Sequence, residues 1–168
     1  MVSAVGRMPG TSVMKKPRAT PEPDLAAVRA VYAELEQRPA ERSCVGRSDC
    51  CRFRLTGETP YVTLPEALLA WKAWRGTGRR ELRLPEDGAC PMLDPASGRC
   101  LVYVSRPFAC RTHFCKAAGG PRDRASVRDL IQRLETLDRA AGGEGCGQRM
   151  EVALRAVSEG GTGRGRRR

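Results

Sequence analysis

The chain has 168 residues, and its 30 Lys and Arg against 19 Asp and Glu give a formal net charge of +11. That length is one ordinary domain, and Leu, Ile, Val and Phe supply roughly 18% of it, below the ~20% under which a highly charged chain tends to stay disordered. The longest apolar run, Ala67 to Trp71, excludes a spanning helix of ~18–20 residues, and the first 20 residues hold no apolar block of a secretory signal.

Residues 1–22 are rich in Pro, Gly and Ser without periodicity, and are predicted to be a disordered N-terminal tail. Asp24 can cap a helix running to Gln37, with Leu25, Val28, Val31, Tyr32 and Leu35 on one stripe and Pro39 ending it. Tyr61–Thr63 is a short strand candidate. Thr63 and Glu66 have the spacing of a capping box before a helix over Leu64–Arg75, with Leu68, Leu69 and Trp74 facing inward and Gly76 and Gly78 stopping it. Met92–Leu93 and Cys100–Val104 flank the turn formers Asp94, Pro95 and Gly98, which predicts a hairpin. Ser126 and Asp129 are spaced as a cap for a helix carrying Val127, Leu130, Ile131, Leu134 and Leu137, closed by Gly142. Residues 148–158 read as a weaker helix. Packing explains all four helical stripes. Residues 159–168 form an Arg-rich tail, predicted disordered. The expected architecture is α+β: a small, helix-rich, irregular domain over 23–158 with a short hairpin, its helical C-terminal part at 124–158.

Eight cysteines remain to be explained: Cys44, Cys50, Cys51, Cys90, Cys100, Cys110, Cys115 and Cys146. They make up about 5% of the chain, below the ~8–10% of secreted disulfide scaffolds. Without an export signal, a reducing cytoplasm is the expected location, where thiolates more often serve metal or catalysis than disulfides. Seven of the eight fall within 72 residues, and no C-x2-C occurs, which argues against zinc ribbons, thioredoxin-type redox motifs and bacterial ferredoxin runs. Soft thiolates select zinc or iron–sulfur clusters. Seven thiols exceed one four-ligand site, leaving open two sites, a multinuclear site, or one site with free thiols. The only histidine, His113, lies between Cys110 and Cys115. Arg52, Arg54, Arg99, Arg106 and Arg111 stand beside the cysteines, where cations would offset thiolate charge and hydrogen-bond sulfur. Structural zinc contributes roughly 10–16 kcal/mol in small domains, as much as a typical domain's whole stability of about 5–15 kcal/mol. A chain this poor in aliphatics is therefore expected to depend on a metal for its fold.

The segments CVGRSDCC (44–51), CPML (90–93) and CLVYVSRPFACRTHFC (100–115) together resemble the YkgJ-type cysteine-cluster family, a zinc- or iron-chelating domain. The residues that carry the resemblance are Cys44, Cys50, Cys51, Cys90, Leu93, Cys100, Tyr103, Arg106, Pro107, Cys110 and Arg111, so the signature spans 44–115. Where many relatives have a further cysteine in the first group, this chain has Arg47, and Cys115 is a candidate replacement. The resemblance implies metal binding. Some relatives resemble, or are fused to, protein lysine methylases acting on flagellin, which implies an enzymatic alternative.

The expected ligands are Cys44, Cys50, Cys51, Cys90, Cys100, Cys110 and Cys115, holding a 4Fe–4S cluster or zinc. The cysteine surplus, the missing knuckle and the adjacent Cys50–Cys51 pair favour the cluster. Arg106 and Arg111 are the expected hydrogen-bond donors around it. The function expected first is a structural or sensory metal-binding module without catalysis. The rivals are a cluster-dependent protein-modifying enzyme or its partner, and a zinc-stabilised nucleic-acid binder. The last is disfavoured because the charge excess sits in the tails, at Arg7, Lys15, Lys16, Arg18 and at Arg164, Arg166, Arg167 and Arg168, where contacts to nucleic acid would be non-specific.

Overall fold

The computed structural model describes residues 21–39, 48–113, 115 and 118–160. Cys44, Arg47 and nearly all of both predicted tails lie outside the described residues. Helix α1 (Leu25–Gln37) begins as the sequence predicts, with Asp24 accepting a hydrogen bond from the Ala27 amide at 2.9 Å. Its stripe of Val28, Val31, Tyr32 and Leu35 is buried. Two short elements follow that the pattern does not signal: a 3-10 turn over Asp49–Cys51 and the one-turn helix α2 (Phe53–Thr56). Strand β1 (Tyr61–Val62) leads into α3 (Leu64–Gly76), and the Thr63–Glu66 capping box is present. After a long irregular stretch comes α4 (Phe108–Thr112), then α5 (Arg128–Ala140), β2 (Gln148–Arg149) and α6 (Met150–Ser158).

Helix α3 is the centre of the molecule. One side packs on α6, through Ala67, Ala70 and Trp74 against Met150, Ala153, Leu154 and Val157. The other presents Leu69 to α1, which in turn packs on α5 through a second cluster containing Leu130 and Leu134. Alanines on α3 and α6 let the helices approach closely, and the stacked Trp71 and Trp74 rings, 5.0 Å apart, supply bulk that aliphatic side chains do not. The domain thus has two hydrophobic clusters despite its composition. The thiols belong to one of them: Cys90 is buried within the first, and Cys51, Cys100 and Cys110 pack against it.

The α+β expectation holds in a reduced form. The sheet is a two-stranded antiparallel ribbon, pairing Tyr61 with Arg149 and Val62 with Gln148, strands far apart in sequence. The predicted hairpin around Asp94–Arg99 shrinks to one antiparallel bridge, Leu93 with Cys100. Its turn forms as expected, Gly98 at φ +64° and its amide bonded to the Asp94 carbonyl at 2.8 Å. Beyond Cys100 the chain leaves the ladder for a 3-10 turn over Tyr103–Ser105, which buries Val102 and turns Val104 to solvent.

The Ser126–Asp129 cap does not form. A 3-10 turn over Ala125–Val127 precedes α5, Ser126 Oγ donates to the Asp123 carbonyl, and Asp129 pairs with Arg38 at the end of α1. Arg38 offers Asp129 two charge-assisted contacts from another helix, which outweighs a local cap and holds the Asp129 carboxyl down to about 2. Helix α5 closes at Gly142 as predicted, with φ +86°.

The last turn of α5 also carries Asp138, 2% exposed, which accepts hydrogen bonds from the Leu64 amide at 2.7 Å and the Gly145 amide at 2.8 Å. It clasps the start of α3 to the loop before β2. A Cβ on Gly143 would stand 2.1 Å from its carboxylate, so the loop needs glycine there. Replacing Asp138 by Ala leaves one buried and one part-buried amide without acceptors and is expected to lower stability by about 2–4 kcal/mol. Urea denaturation measures this; a variant as stable as the parent would contradict the clasp.

Candidate metal centre

Three segments bring thiols together. In the first, Ser48 takes the left-handed conformation, φ +57°, the only described non-glycine residue to do so. This costs about 1–2 kcal/mol in backbone strain. It starts the 3-10 turn from which the adjacent Cys50 and Cys51 face the same cavity. In the second, the Cys90 amide donates to the Cys51 carbonyl at 2.6 Å, and the neighbouring Arg52 and Ala89 form an antiparallel bridge. The Leu93–Cys100 bridge then returns Cys100 to the same place. In the third, Pro107 ends the extended step after Arg106 and starts α4, which carries Cys110; Cys115 follows, its carbonyl accepting from the Ala118 and Gly120 amides.

Together Cys50, Cys51, Cys90, Cys100, Cys110 and Cys115 line one cavity of about 420 Å³. Its remaining wall is largely apolar, including Met92, Val102 and Met150, with His113 at one side. Of the predicted ligands only Cys44 is not placed there, because it lies outside the described residues. Cys146 is exposed and away from the cavity. All seven described cysteines are free of disulfides. As they stand, no three His, Cys, Asp or Glu side chains among the described residues are arranged like the ligands of one ion. The sulfurs ring a space and do not crowd a point.

The electrostatics are those of thiols brought together out of water. Burial pushes the Cys90 thiol up to about 12, and the nearby Cys100 and Cys50 sulfurs add to the shift. Burial likewise pushes Cys110 well above the ordinary thiol range, with further increments from Cys90, Cys100 and Cys50. Cys50 and Cys51 share a hydrogen bond that favours the thiolate at Cys50 and the thiol at Cys51, so Cys50 loses its proton first. The guanidinium of Arg106 also stabilises the Cys50 thiolate.

Arg106 lines the cavity and lies over the Tyr103 ring, 4.0 Å from its centroid. Its Nε is buried and has no hydrogen-bond partner among the described residues. A buried donor beside several sulfurs suits an anionic sulfur centre, so the donor set and its surroundings fit a thiolate-bound metal group. Arg111 is not on the cavity wall. Its Nε donates to the Arg106 carbonyl at 2.9 Å, its other nitrogens hold the Val104 carbonyl and Glu36, and it stacks on Tyr32. It braces the Arg106 turn from behind. Among the other arginines, Arg99 is on the wall and Arg52 pairs with Asp87 at 3.8 Å.

Sequence reading assigns Glu66 to a cap and misses its second part. Glu66 is 2% exposed, and its carboxylate accepts four hydrogen bonds. Thr63 supplies two, from its amide at 3.0 Å and its hydroxyl at 2.8 Å. Tyr32 donates from α1 at 3.0 Å, and the Phe108 amide donates at 2.8 Å. That last bond holds the first turn of the helix that carries Cys110. No sequence signal marks it, because the partners are 42 residues apart. Glu66→Ala strips the acceptor from four donors at once and is expected to cost about 3–5 kcal/mol, against roughly 1 kcal/mol for Tyr32→Phe, which removes one donor. Denaturant midpoints of the two variants check this ordering, and equal effects would contradict it.

Comparison with known proteins gives one match. The model of the CxxCxxCC family, described as "Putative zinc- or iron-chelating domain", matches residues 42–125, half of the chain. These residues contain all the cavity thiols and Cys44, and Arg47 stands where the family pattern has its second cysteine. No curated protein and no solved structure matches the chain.

Proposed function

This chain belongs to the CxxCxxCC family of zinc- or iron-chelating domains, and from that premise we propose that its thiol cavity holds an iron–sulfur cluster in a structural or sensory role. The observation that supports this most is the meeting of six cysteines from three separate segments on one largely apolar cavity. Cys50, Cys51, Cys90, Cys100 and Cys110 are the first candidates for its four thiolate ligands, with Cys115 and Cys44 next. Such a group supplies a covalent tie between the three segments and a centre that can take up and release an electron.

Zinc is the other reading. Four sulfurs each ~2.3 Å from one tetrahedral ion stand roughly 3.8 Å apart. A cavity of about 420 Å³ ringed by six thiols suits a centre of several atoms better than a single ion. Arg106, whose Nε has no partner among the described residues, would hydrogen-bond an anionic sulfur and offset its charge. The free thiols suit a reducing compartment. No helix among the described residues is long and apolar enough to cross a membrane.

Purification without oxygen, followed by elemental analysis and sulfide quantitation, tests the reading. Iron with acid-labile sulfide and broad visible absorption is expected. A colourless protein with stoichiometric zinc contradicts the cluster, and a metal-free protein contradicts the site.

Metal loading is also expected to release protons. Cys90 and Cys110 keep their protons near neutral pH because burial raises both, and a thiol must lose its proton to become a ligand. Loading should therefore free at least these two protons per centre, and affinity should fall as pH falls. Calorimetry in two buffers of different ionisation heat reads the number; heats independent of buffer would contradict it.

A further inference from the structure

A second cavity, of about 340 Å³, shares Cys50 and His113 with the thiol cavity and otherwise has a wall of its own. It is in the size range of small-molecule sites, which start at roughly 300 Å³. Its floor is apolar: Phe108, Val127 and Leu134 are buried there, and Ile131 packs beside them. Its rim carries both signs of charge. Arg122 and Arg124 come from the segment before α5, Glu135 from α5 itself, and Glu58 from the approach to β1.

These charges do not neutralise one another. The cations and carboxylates of the rim form no ion pair across the cavity among the described residues. Glu135 is half-buried and, like the Arg124 guanidinium, makes no hydrogen bond or ion pair among those residues. Arg122 uses one nitrogen on the Pro39 carbonyl, at 2.6 Å. Glu58, largely exposed, has His113 at 3.9 Å as its one ion-pair partner among the described residues. A rim that carries both signs of charge over an apolar floor fits a ligand with both charges close together on an apolar body.

We propose that this cavity binds a free α-amino acid with an apolar side chain. Its carboxylate meets Arg122 and Arg124, its ammonium meets Glu135 and Glu58, and its side chain lies on the Phe108–Val127–Leu134 floor. A simple anion would leave the two glutamates facing it, and a simple cation would leave the two arginines. None of the side chains assigned to the amino acid is a proposed metal ligand, but the cavity shares Cys50 with the metal centre, so the titration uses the metal-loaded chain.

Calorimetric titration of the full chain with L-leucine, L-methionine and L-phenylalanine tests the proposal. Two relatives of leucine that keep one charge each serve as comparison: 3-methylbutylamine, which lacks the carboxylate, and 4-methylpentanoate, which lacks the amine. Saturable one-to-one binding of at least one amino acid is expected. For leucine or its closest-binding homologue, both one-charge relatives should bind at least about tenfold more weakly. Glu135→Gln and Arg124→Gln, both on the rim, should each weaken binding roughly tenfold while the thermal melting curve stays that of the parent. Three results would overturn the site: no saturable binding of any of the three amino acids at millimolar concentration, a one-charge relative binding as well as the amino acid, or affinity unchanged in either variant.

Discussion

A buried carboxylate with four donors holds the parts of this domain in register. Glu66 sits on α3 and ties together its own capping box, Tyr32 on α1 and the first amide of α4. Each of these elements brings something else: α1 the second hydrophobic cluster, α3 the first, and α4 Cys110. A carboxyl group out of water is stable only when its oxygens are hydrogen-bonded. The geometry of the three elements is therefore set by the need to satisfy one side chain. Arg111 reinforces it from outside, stacking on Tyr32 while it holds the carbonyls of Val104 and Arg106.

On that frame the cysteines play two parts. As thiols they are small apolar fillers, and four of them pack in or against the cluster that contains Trp74 and Met92. As potential thiolates they are costly to ionise where they stand, since burial and mutual repulsion raise Cys90 and Cys110. A metal reverses that balance, because it binds the ionised form and removes the repulsion. The poverty of aliphatic residues is thus met in two ways. Part is supplied by tryptophan stacking, methionine and close alanine contacts between α3 and α6. In the proposed function a metal centre would tie down the irregular stretch between α3 and α4, which carries little regular structure of its own.

What the sequence revealed follows from the range of each interaction. Helices α1 and α3 were legible because their stripes and caps lie within a few residues, and so was the Gly98 turn. The cysteine motif was legible because it is a pattern of residue types, and it led to six side chains that do share a cavity. Pairings between distant segments were not legible. Nothing in Tyr61–Val62 announces Gln148–Arg149 as its partner, and nothing in Asp129 announces Arg38. The hairpin was overextended because the apolar run Leu101–Val104 continues past Cys100 on paper, while burial of Val102 turns the chain away. The adjacent Cys50–Cys51 pair needed a left-handed Ser48, a conformation that serine does not advertise.

X-ray absorption at the metal edge of the chain, purified without oxygen, tests most directly whether these sulfurs surround one centre. The account predicts a first shell of sulfur alone with a shell of neighbouring metal atoms beyond it. A first shell dominated by nitrogen or oxygen would contradict it.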